Sequence, residues 1–432
     1  MKRYTAQAAA VSVMLTAGLV GCSTAPEAGA EGSGTLYVTT NAGVNAAWID
    51  LVIPEFEKLH PNIDVIQDAI DPTTLQSTAA QLYASSSAPD VGFLQTSMAA
   101  YATLIDAGAL TELNDVWEIS GLTDAVQPNV VASWSVDDNH YGIAYNQVWA
   151  PVIYYNKALF EQAGITAPDG RVASSSEWLD LIGKLKDAGL QPLAIGGGEF
   201  PALHIAGALL QASSTGTNPY SDYLTNTLAG STTPALYSSG PFLDAMTTID
   251  EWNELGVFAK GTPSMTEGQS VSLFSAGGAA MLSNGSWAVQ SAAKDSPDLD
   301  FGWFLYPMSD TGTETTFLTY VGDGMVIPKT AKNPIAAKLF LEYLAGVDGQ
   351  ALLVSTGSIP IRGDLPASTF DAFDAQTAEM IKAMSTLGGA DIWSPDPTVN
   401  TAVTAAFSQI LIGEKTPQQV GDEVQAIVDS LR

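Results

Sequence analysis

Hydrophobic and polar positions near the start of the chain follow a strand, helix, strand order. Residues 35–39 (TLYVT) and 62–67 (NIDVIQ) alternate between apolar and polar side chains, which predicts two strands. Between them, residues 47–60 place apolar side chains three or four positions apart, which predicts a helix with a start or kink at Pro54. A strand, helix, strand order at this spacing predicts a βαβ unit and therefore a parallel sheet.

The same alternation continues through the rest of the chain. Further strands are predicted at 89–94, 151–155 and 191–196, and further helices at 97–108 and 176–188. Two later helices carry start signals, namely Asn333 before Pro334 and a capping box of Thr416 and Gln419. The last helix has a predicted apolar stripe of Val420, Val424, Ile427 and Leu431. The whole pattern indicates an α/β protein.

Length, charge and cysteine content exclude several classes of protein. A chain of 432 residues is long enough for two or three domains. The 46 acidic residues outnumber the 16 basic residues, and the net charge of −30 repels a phosphate backbone, so we expect no nucleic-acid partner. The single cysteine excludes an internal disulfide framework.

The N-terminus has the layout of a bacterial lipoprotein signal. Lys2 and Arg3 precede an apolar stretch that is too short to span a membrane, and the segment ends in Leu-Val-Gly-Cys at Cys22. This ending resembles a lipobox, in which the cysteine carries the lipid anchor. Residues 23–34 are small and polar, which predicts a flexible tether. We therefore expect residues 1–22 to be a signal peptide and Cys22 to be the lipidation site.

Recognisable catalytic and metal-binding motifs are missing from the sequence. His60, His140 and His204 are scattered, no cysteine accompanies them, and no metal site is predicted. The sequence has no GxSxG elbow, phosphate-binding loop or dinucleotide fingerprint, so we expect no cofactor and no enzyme activity. Counting carboxylates does not test for a glycosidase pair, and a secreted glycosidase or esterase stays a minor alternative.

Tryptophans lie beside loop-like segments rich in Gly, Asn and Ser. Four of them share this setting: Trp48, Trp149, Trp287 and Trp393. Aromatic rings stack on the apolar faces of sugars, and nearby amides and carboxylates pair with hydroxyls. Each ring taken alone is better explained as core, but their joint placement favours a neutral polyhydroxylated ligand.

Six segments, in order, resemble one protein family. They are residues 51–65 (LVIPEFEKLHPNIDV), 88–91 (APDV), 108–114 (GALTELN), 141–160 with its YNK motif, 274–287 (FSAGGAAMLSNGSW) and 326–362 with its closing GSIPIR. Together they are similar to the extracellular solute-binding proteins of bacterial ABC importers, in the sugar-binding group that includes maltose-binding protein.

This resemblance implies a type II periplasmic-binding-protein fold, in which two α/β lobes joined by a hinge enclose a central ligand cleft. One lobe would comprise residues 35–147 plus 325–355, and the other residues 150–320 plus 360–432. The chain would cross between the lobes near residues 147–151, 320–324 and 355–361.

The resemblance also implies a set of ligand contacts at loops and strand ends. Carried over position by position, these are Asn41, Asn45, Gln95, Ser97, Asn146, Trp149, Glu199, Phe200, Gly285, Trp287, Tyr320, Asp323, Arg362 and Trp393. After this strand the family often has a Trp, Asp or Asn that reaches the sugar. This sequence has Leu94 and no tryptophan there, which weakens the expected contact at Gln95 and Ser97. Trp287 is the strongest candidate for stacking.

The implied function is capture of a mono- or oligosaccharide and its delivery to an ABC permease. The protein would be a monomer on the extracytoplasmic face of the cell membrane, attached through its lipid anchor alone. The same fold binding a polyol, polyamine, amino acid or peptide is the main alternative. An amino acid would need a cation for its carboxylate, and few arginines follow the signal segment.

Overall fold

The structure is a computed structural model that describes residues 32–42, 48–96, 98–213, 236–288, 296, 299–306, 319–320, 323–371, 378–379, 381–382 and 397–431. The signal segment, Cys22 and most of the tether lie outside the described residues, as do Asn45, Ser97 and Trp393. Within the described part of the chain, no helix combines the length and apolar character needed to cross a membrane.

Strands and helices alternate along the chain. The described strands are β1 (Gly34–Asn41), β2 (Ile63–Ile70), β3 (Val91–Gln95), β4 (Ser135–Val136), β5 (Asn139–His140), β6 (Ile143–Ala144), β7 (Val148–Trp149), β8 (Val152–Asn156), β9 (Leu193–Ala194), β10 (Met281–Asn284), β11 (Phe301–Phe304), β12 (Thr319–Tyr320) and β13 (Asp323–Val326). The described α-helices are α1 (Ile49–Leu59), α2 (Pro72–Tyr83), α3 (Ala99–Asp106), α4 (Asn114–Ile119), α5 (Leu122–Ala125), α6 (Pro128–Ser133), α7 (Lys157–Gln162), α8 (Ser175–Asp187), α9 (Pro201–Ser213), α10 (Pro241–Glu254), α11 (Glu267–Ser275), α12 (Pro334–Ala345), α13 (Val347–Ser355), α14 (Pro397–Leu411) and α15 (Pro417–Ser430).

The first sheet has the strand order β2-β1-β3-β13-β6. β1 runs parallel to β2 and to β3, which confirms the predicted βαβ unit, and β13 returns antiparallel to β3. Helices cover this sheet: α1 and α12 meet where Phe56 and Phe340 pack edge to face, with ring centroids 5.1 Å apart. The carboxyl ends of β1 and β3 lie at the same edge of the sheet as the start of β13.

Helix α1 confirms the predicted helix between β1 and β2, and because it begins at Ile49 with Pro54 inside it, a helix start at Pro54, one of the two alternatives, is wrong. The helix buries Ile49, Val52 and Phe56 along one face. Proline removes one backbone donor, and the burial of these three side chains on both sides of Pro54 holds the helix together across it.

The second sheet has the strand order β11-β8-β10-β9, with β8 antiparallel to both β10 and β11. Every residue of β8 is buried because its two faces contact different cores. Ile153 and Tyr155 pack with helices that include α8, α9 and α10, whereas Val152 and Tyr154 pack on the opposite face with Phe274. The predicted strand at 191–196 is shorter than expected, because only Leu193 and Ala194 pair with β10.

Three segments that are far apart in the sequence are hydrogen-bonded to one another outside the two sheets. β7 and β12 form an antiparallel pair, with Tyr320 opposite Val148. The backbone N–H of Gln147 donates to Ile359 O at 2.9 Å, and its side-chain amide donates to Pro360 O at 3.0 Å. The predicted lobe boundaries near these segments stay a prediction.

The predicted helix starts are confirmed. Asn333 accepts a hydrogen bond from the Ala336 N–H, and Thr416 forms both bonds of its capping box with Gln419. The predicted stripe of the last helix is wrong in its second half. Val428 is buried, whereas Ile427 is only half-buried and Leu431 is exposed beyond the helix end at Ser430. A spacing of four from Val420 through Val424 to Val428 keeps one face on the core.

Candidate functional site

A group of polar side chains lies at the edge of the first sheet where β3 ends and β13 begins. Gln95 and Asp323 are paired in register, and Gln95 Nε2 donates to Asp323 Oδ1 at 2.7 Å. Asp323 is fully buried, so its carboxylate depends on hydrogen bonds in place of water. Two candidates from the sequence are therefore in direct contact.

Tyr145 supplies a second donor to the same carboxylate. Its hydroxyl donates to Asp323 Oδ2 at 3.3 Å, and its backbone N–H donates to Asp323 O at 3.0 Å. Burial, together with the negative charge of Asp323, raises the pKa of Tyr145 well above its ordinary value. The hydroxyl thus keeps its proton and acts as a donor. The Trp48 ring packs on Tyr145, with centroids 4.6 Å apart, and is buried as core.

Two amide side chains complete this polar edge. Asn146 is buried, and its Oδ1 accepts a hydrogen bond from the Asp323 N–H at 3.2 Å. Asn41 ends β1 at the same edge of the sheet, and its buried Oδ1 accepts no hydrogen bond from any described residue. A buried acceptor of this kind is suited to a ligand hydroxyl. We call Asn41, Gln95, Tyr145, Asn146 and Asp323 the polar edge.

The Gly285-Ser286-Trp287 segment follows β10 of the second sheet and is hydrogen-bonded to strand β7. The Trp149 N–H donates to Ser286 Oγ at 3.2 Å, and the Ser286 N–H donates back to Trp149 O at 2.8 Å. The buried Tyr154 hydroxyl donates to Gly285 O at 3.0 Å. These bonds fix the backbone that carries Trp287.

The Trp287 ring lies directly over Gly285. A Cβ atom at position 285 would be 1.9 Å from Cζ3 of the ring, which only glycine avoids. Phe200 and His204 pack against the ring with centroid distances of 5.9 and 5.7 Å, and Trp287 is 9% exposed. The ring therefore has one defined position.

Glu267, the first residue of α11, holds the indole edge of Trp287. Its Oε1 accepts a short hydrogen bond from the indole Nε1–H. Burial raises the pKa of Glu267, the hydrogen bond from Trp287 and the neighbouring Asn284 amide oppose this rise, and the nearby Glu199 carboxylate adds to it. Sequence reasoning missed Glu267, although the capping box of Thr266 and Gln269 marks the helix start beside it. We call Phe200, Glu199, Glu267, Gly285 and Trp287 the aromatic cluster.

Glu199 has a hydrogen-bond partner that the amino-acid sequence did not indicate. Its Oε2 accepts the backbone N–H of Glu267 at 2.7 Å, at the positive end of α11. The His204 ring packs on Phe200 and Trp287 and is buried, and this burial lowers the pKa of His204 to about 3. The imidazole is therefore neutral at physiological pH.

Two further predicted residues have described partners outside these two groups. The Arg362 guanidinium is buried, donates two bonds to the Asp364 carboxylate at 2.8 Å, and also donates to Ser120 O and Ala345 O. The backbone of Tyr320 pairs with Val148, in the strand pair of β12 and β7.

The chemistry of the two groups is that of binding. Their described charged side chains are the carboxylates Asp323, Glu199 and Glu267, which accept hydrogen bonds, and their other members are amides, a phenol and aromatic rings. Among the residues that the structure describes, no group of three or more His, Cys, Asp and Glu side chains could hold a metal ion.

Comparison with known proteins places the chain in a family. Residues 38–351 match the model of the bacterial extracellular solute-binding proteins. An uncharacterized ABC transporter extracellular-binding protein of Pyrococcus horikoshii is 26% identical over 347 residues, covering 78% of this chain and 73% of that protein. The xylose/arabinose-binding protein XacG of Haloferax volcanii is 26% identical over 348 residues, covering 78% and 71%.

Among solved structures, a chitin oligosaccharide binding protein superposes with a TM-score of 0.75 at 20% identity. The match covers 92% of this chain and 99% of that one. This similarity confirms the predicted type II periplasmic-binding-protein fold.

Proposed function

The chain belongs to the bacterial extracellular solute-binding protein family, and from that premise we propose that it captures a sugar for an ABC importer. The ligand is a mono- or oligosaccharide held between two lobes, and the loaded protein delivers it to a membrane permease. The xylose/arabinose-binding and chitin oligosaccharide binding relatives support a sugar as the ligand.

The observation that carries this proposal is that the protein has both an aromatic cluster and a polar edge. A sugar presents apolar C–H faces to rings such as Trp287 and hydroxyls to acceptors such as Asn41 Oδ1. An unpaired buried polar group costs about 1–3 kcal/mol, so the polar edge would discriminate between epimers. The two groups are connected through β7, because Asn146 of the polar edge lies three residues before Trp149, whose backbone N–H donates to Ser286, the neighbour of Trp287.

Ligand binding would favour a closed state of the two lobes, which β7 and β12 would connect. Ligand binding shifts an open and closed equilibrium only by its differential affinity for the two states. A sugar that contacts Trp287 and the partly exposed Gln95 together would make both contacts only in the closed state. The protein performs no chemistry on its ligand, and the sugar is released unchanged to the permease.

We extend the proposal to the N-terminus. The family is extracellular, and Cys22 would carry a lipid that holds the protein on the outer side of the cell membrane. The segment from residue 23 to 34 would act as a tether, which keeps the binding domain within reach of the permease at a raised effective concentration.

A different solute is a weaker candidate. An amino acid or peptide needs a cation for its carboxylate, and Arg362 is bonded to Asp364 and two backbone carbonyls. A polyamine suits the net charge of −30, but Glu199 and Glu267 already accept protein N–H groups. Both solutes therefore belong in the test as competing outcomes.

The test is a thermal-shift screen of the purified protein with maltose, raffinose, xylose, arabinose, chitin oligosaccharides, polyols, amino acids and spermidine. A ligand at about 100 times its dissociation constant adds about 2.7 kcal/mol of stability. We expect a shift of several degrees with one of the sugars, and recovery of that sugar unchanged. A shift with spermidine or an amino acid alone would discard the sugar, and consumption of any compound would discard the transport role.

A further inference from the structure

Trp287 owes its orientation to a carboxylate outside its own segment. Gly285 supports one face of the ring, Phe200 and His204 pack against it, and Glu267 accepts the hydrogen bond of its Nε1–H. Rotation of the ring about its side-chain bonds would break the bond to Glu267 first, since it is the directional contact.

Glu267 is itself held in place by the start of α11. Its backbone N–H donates to Glu199 Oε2 at 2.7 Å, and the Thr266–Gln269 capping box fixes the preceding residue. The Asn284 amide, at the end of β10, also favours the ionised form of the Glu267 carboxylate. A charged acceptor makes a stronger hydrogen bond to an indole N–H than a neutral acceptor does.

From these contacts we propose that Glu267 is a positioning residue of the binding site, whose carboxylate orients the Trp287 ring toward the ligand. In this arrangement Glu199 acts through Glu267, by holding the helix start from which the carboxylate extends. The inference rests on the proposed function, because it takes Trp287 as a ligand contact. It replaces the direct ligand role that the sequence suggested for Glu199 with an indirect one.

A pH dependence follows from the same geometry. Protonation of Glu267 removes the charge from the acceptor of the indole bond, so lowering the pH should loosen Trp287 and weaken ligand binding. Burial raises the pKa of Glu267, which moves this loss to a higher pH than for an exposed glutamate. The other titratable groups facing the site are Glu199 and His204, and His204 stays neutral because burial lowers its pKa to about 3.

The variants are Glu267→Ala, Glu267→Gln, Trp287→Phe, Trp287→Ala and the matched control Gln269→Ala. Gln keeps an acceptor oxygen but cannot ionise. Gln269→Ala breaks the capping box of the same helix without touching Trp287. It therefore reports what a purely structural weakening of α11 would do.

The first readout needs no ligand. In the full-length protein labelled with ¹⁵N-tryptophan, the indole resonance of Trp287 is assigned by its absence in Trp287→Phe. We expect this resonance to move with pH in the wild type, to lose that movement in Glu267→Gln, and to move as in the wild type in Gln269→Ala. A Trp287 resonance that titrates equally in Glu267→Gln would overturn the proposal.

The second readout is the affinity for the sugar with the largest shift among maltose, raffinose, xylose, arabinose and chitin oligosaccharides. We expect Glu267→Ala to weaken binding by about tenfold or more, the value of a hydrogen bond to a charged group. Glu267→Gln keeps a neutral acceptor, so its affinity at neutral pH should lie between that of Glu267→Ala and that of the wild type. Wild-type affinity should fall on acidification, and that of Glu267→Gln should fall less.

The outcomes separate the two proposals. If Trp287→Ala binds like the wild type, the assignment of Trp287 to the ligand site fails. If Trp287→Ala loses binding while Glu267→Ala binds as well as Gln269→Ala, the site stands and the positioning role is overturned. If no sugar binds, the indole titration still decides whether Glu267 holds the ring.

Discussion

Gln95 and Asp323 lie 228 positions apart in the chain, yet the Gln95 amide donates to the Asp323 carboxylate at 2.7 Å. The bond joins the end of β3 to the start of β13, directly after the crossing strand β12. The Tyr145 hydroxyl donates to the other carboxylate oxygen of Asp323, so each oxygen of this buried group has a neutral donor. Such a network is rigid when every member is satisfied and costly when one is removed.

Replacing Asp323 tests this network. We expect Asp323→Ala to lower the free energy of unfolding by about 1–3 kcal/mol, because Tyr145 and Gln95 lose their shared acceptor. Sugar affinity should also fall, since the polar edge loses its centre. Urea denaturation and titration calorimetry measure the two effects. The control Asp300→Asn removes an exposed ion pair with Lys157 and should change stability by about 1 kcal/mol or less. Equal effects of the two variants would contradict the network.

Gly285 is expected to be essential for binding, because it sets the position of the Trp287 ring. In Gly285→Ala the added Cβ collides with the Trp287 ring, which must leave its position over the backbone. We expect a loss of sugar affinity of about tenfold or more. Overpacking should also lower the free energy of unfolding by about 1–3 kcal/mol, so affinity is measured on the folded protein. The matched control is Gly268→Ala, where a Cβ meets no atom within 4 Å. Alanine there should leave affinity intact and stabilise α11 by up to about 1 kcal/mol.

Arg362 is expected to act in folding. Arg362→Ala removes the donors of Ser120 O and Ala345 O, which should cost about 1–3 kcal/mol of unfolding free energy. The affinity of the remaining folded protein for its sugar should be unchanged. Hydrogen bonds from Arg362 lower the pKa of Asp364, and this carboxyl should titrate at a higher pH in the variant. A variant of wild-type stability that binds no sugar would return Arg362 to the ligand site.

Much of the fold could be read from local sequence patterns. The βαβ start and the Asn333 and Thr416 caps depend on neighbouring residues, and the structure agrees with each. The local pattern left a helix start and a kink open at Pro54, and the start is wrong because the buried side chains of Ile49, Val52 and Phe56 continue the helix across the proline. The antiparallel return of β13 has no local signal, since its partner β3 lies far away in the sequence.

The candidate site was harder to predict, because its contacts join distant segments. The resemblance pointed to Gln95, Asp323 and Trp287 but could not show what each one touches. Tyr145 was missed because nothing nearby marks a tyrosine whose partner is an aspartate across the sheet. Glu199 was chosen as a ligand contact, and only the structure shows that it accepts a helix N–H.

His204 should make stability depend on pH. Burial lowers the pKa of its imidazole from 6.5 to about 3, so between these values the unfolded chain binds a proton that the folded protein does not. Its stabilising contribution is complete above pH 6.5 and is lost as the pH falls. We expect the unfolding free energy of His204→Phe to decline less between pH 7 and pH 5 than that of the wild type. His60→Gln is the control, and equal slopes in all three proteins would contradict the enclosure of His204.

Salt should stabilise the protein. With 46 acidic and 16 basic residues, the folded chain brings excess negative charge together. Exposed ion pairs such as Lys58–Glu55, Lys157–Asp300 and Lys184–Asp180 are worth little. Counterions screen this repulsion, since the Debye length falls from about 30 Å at 0.01 M to about 10 Å at 0.1 M ionic strength. We expect the melting temperature to rise over this range, equally in NaCl and KCl. A neutral osmolyte at matched osmolality is the control. A flat or falling melting temperature would mean that the attractive surface pairs outweigh the excess of carboxylates.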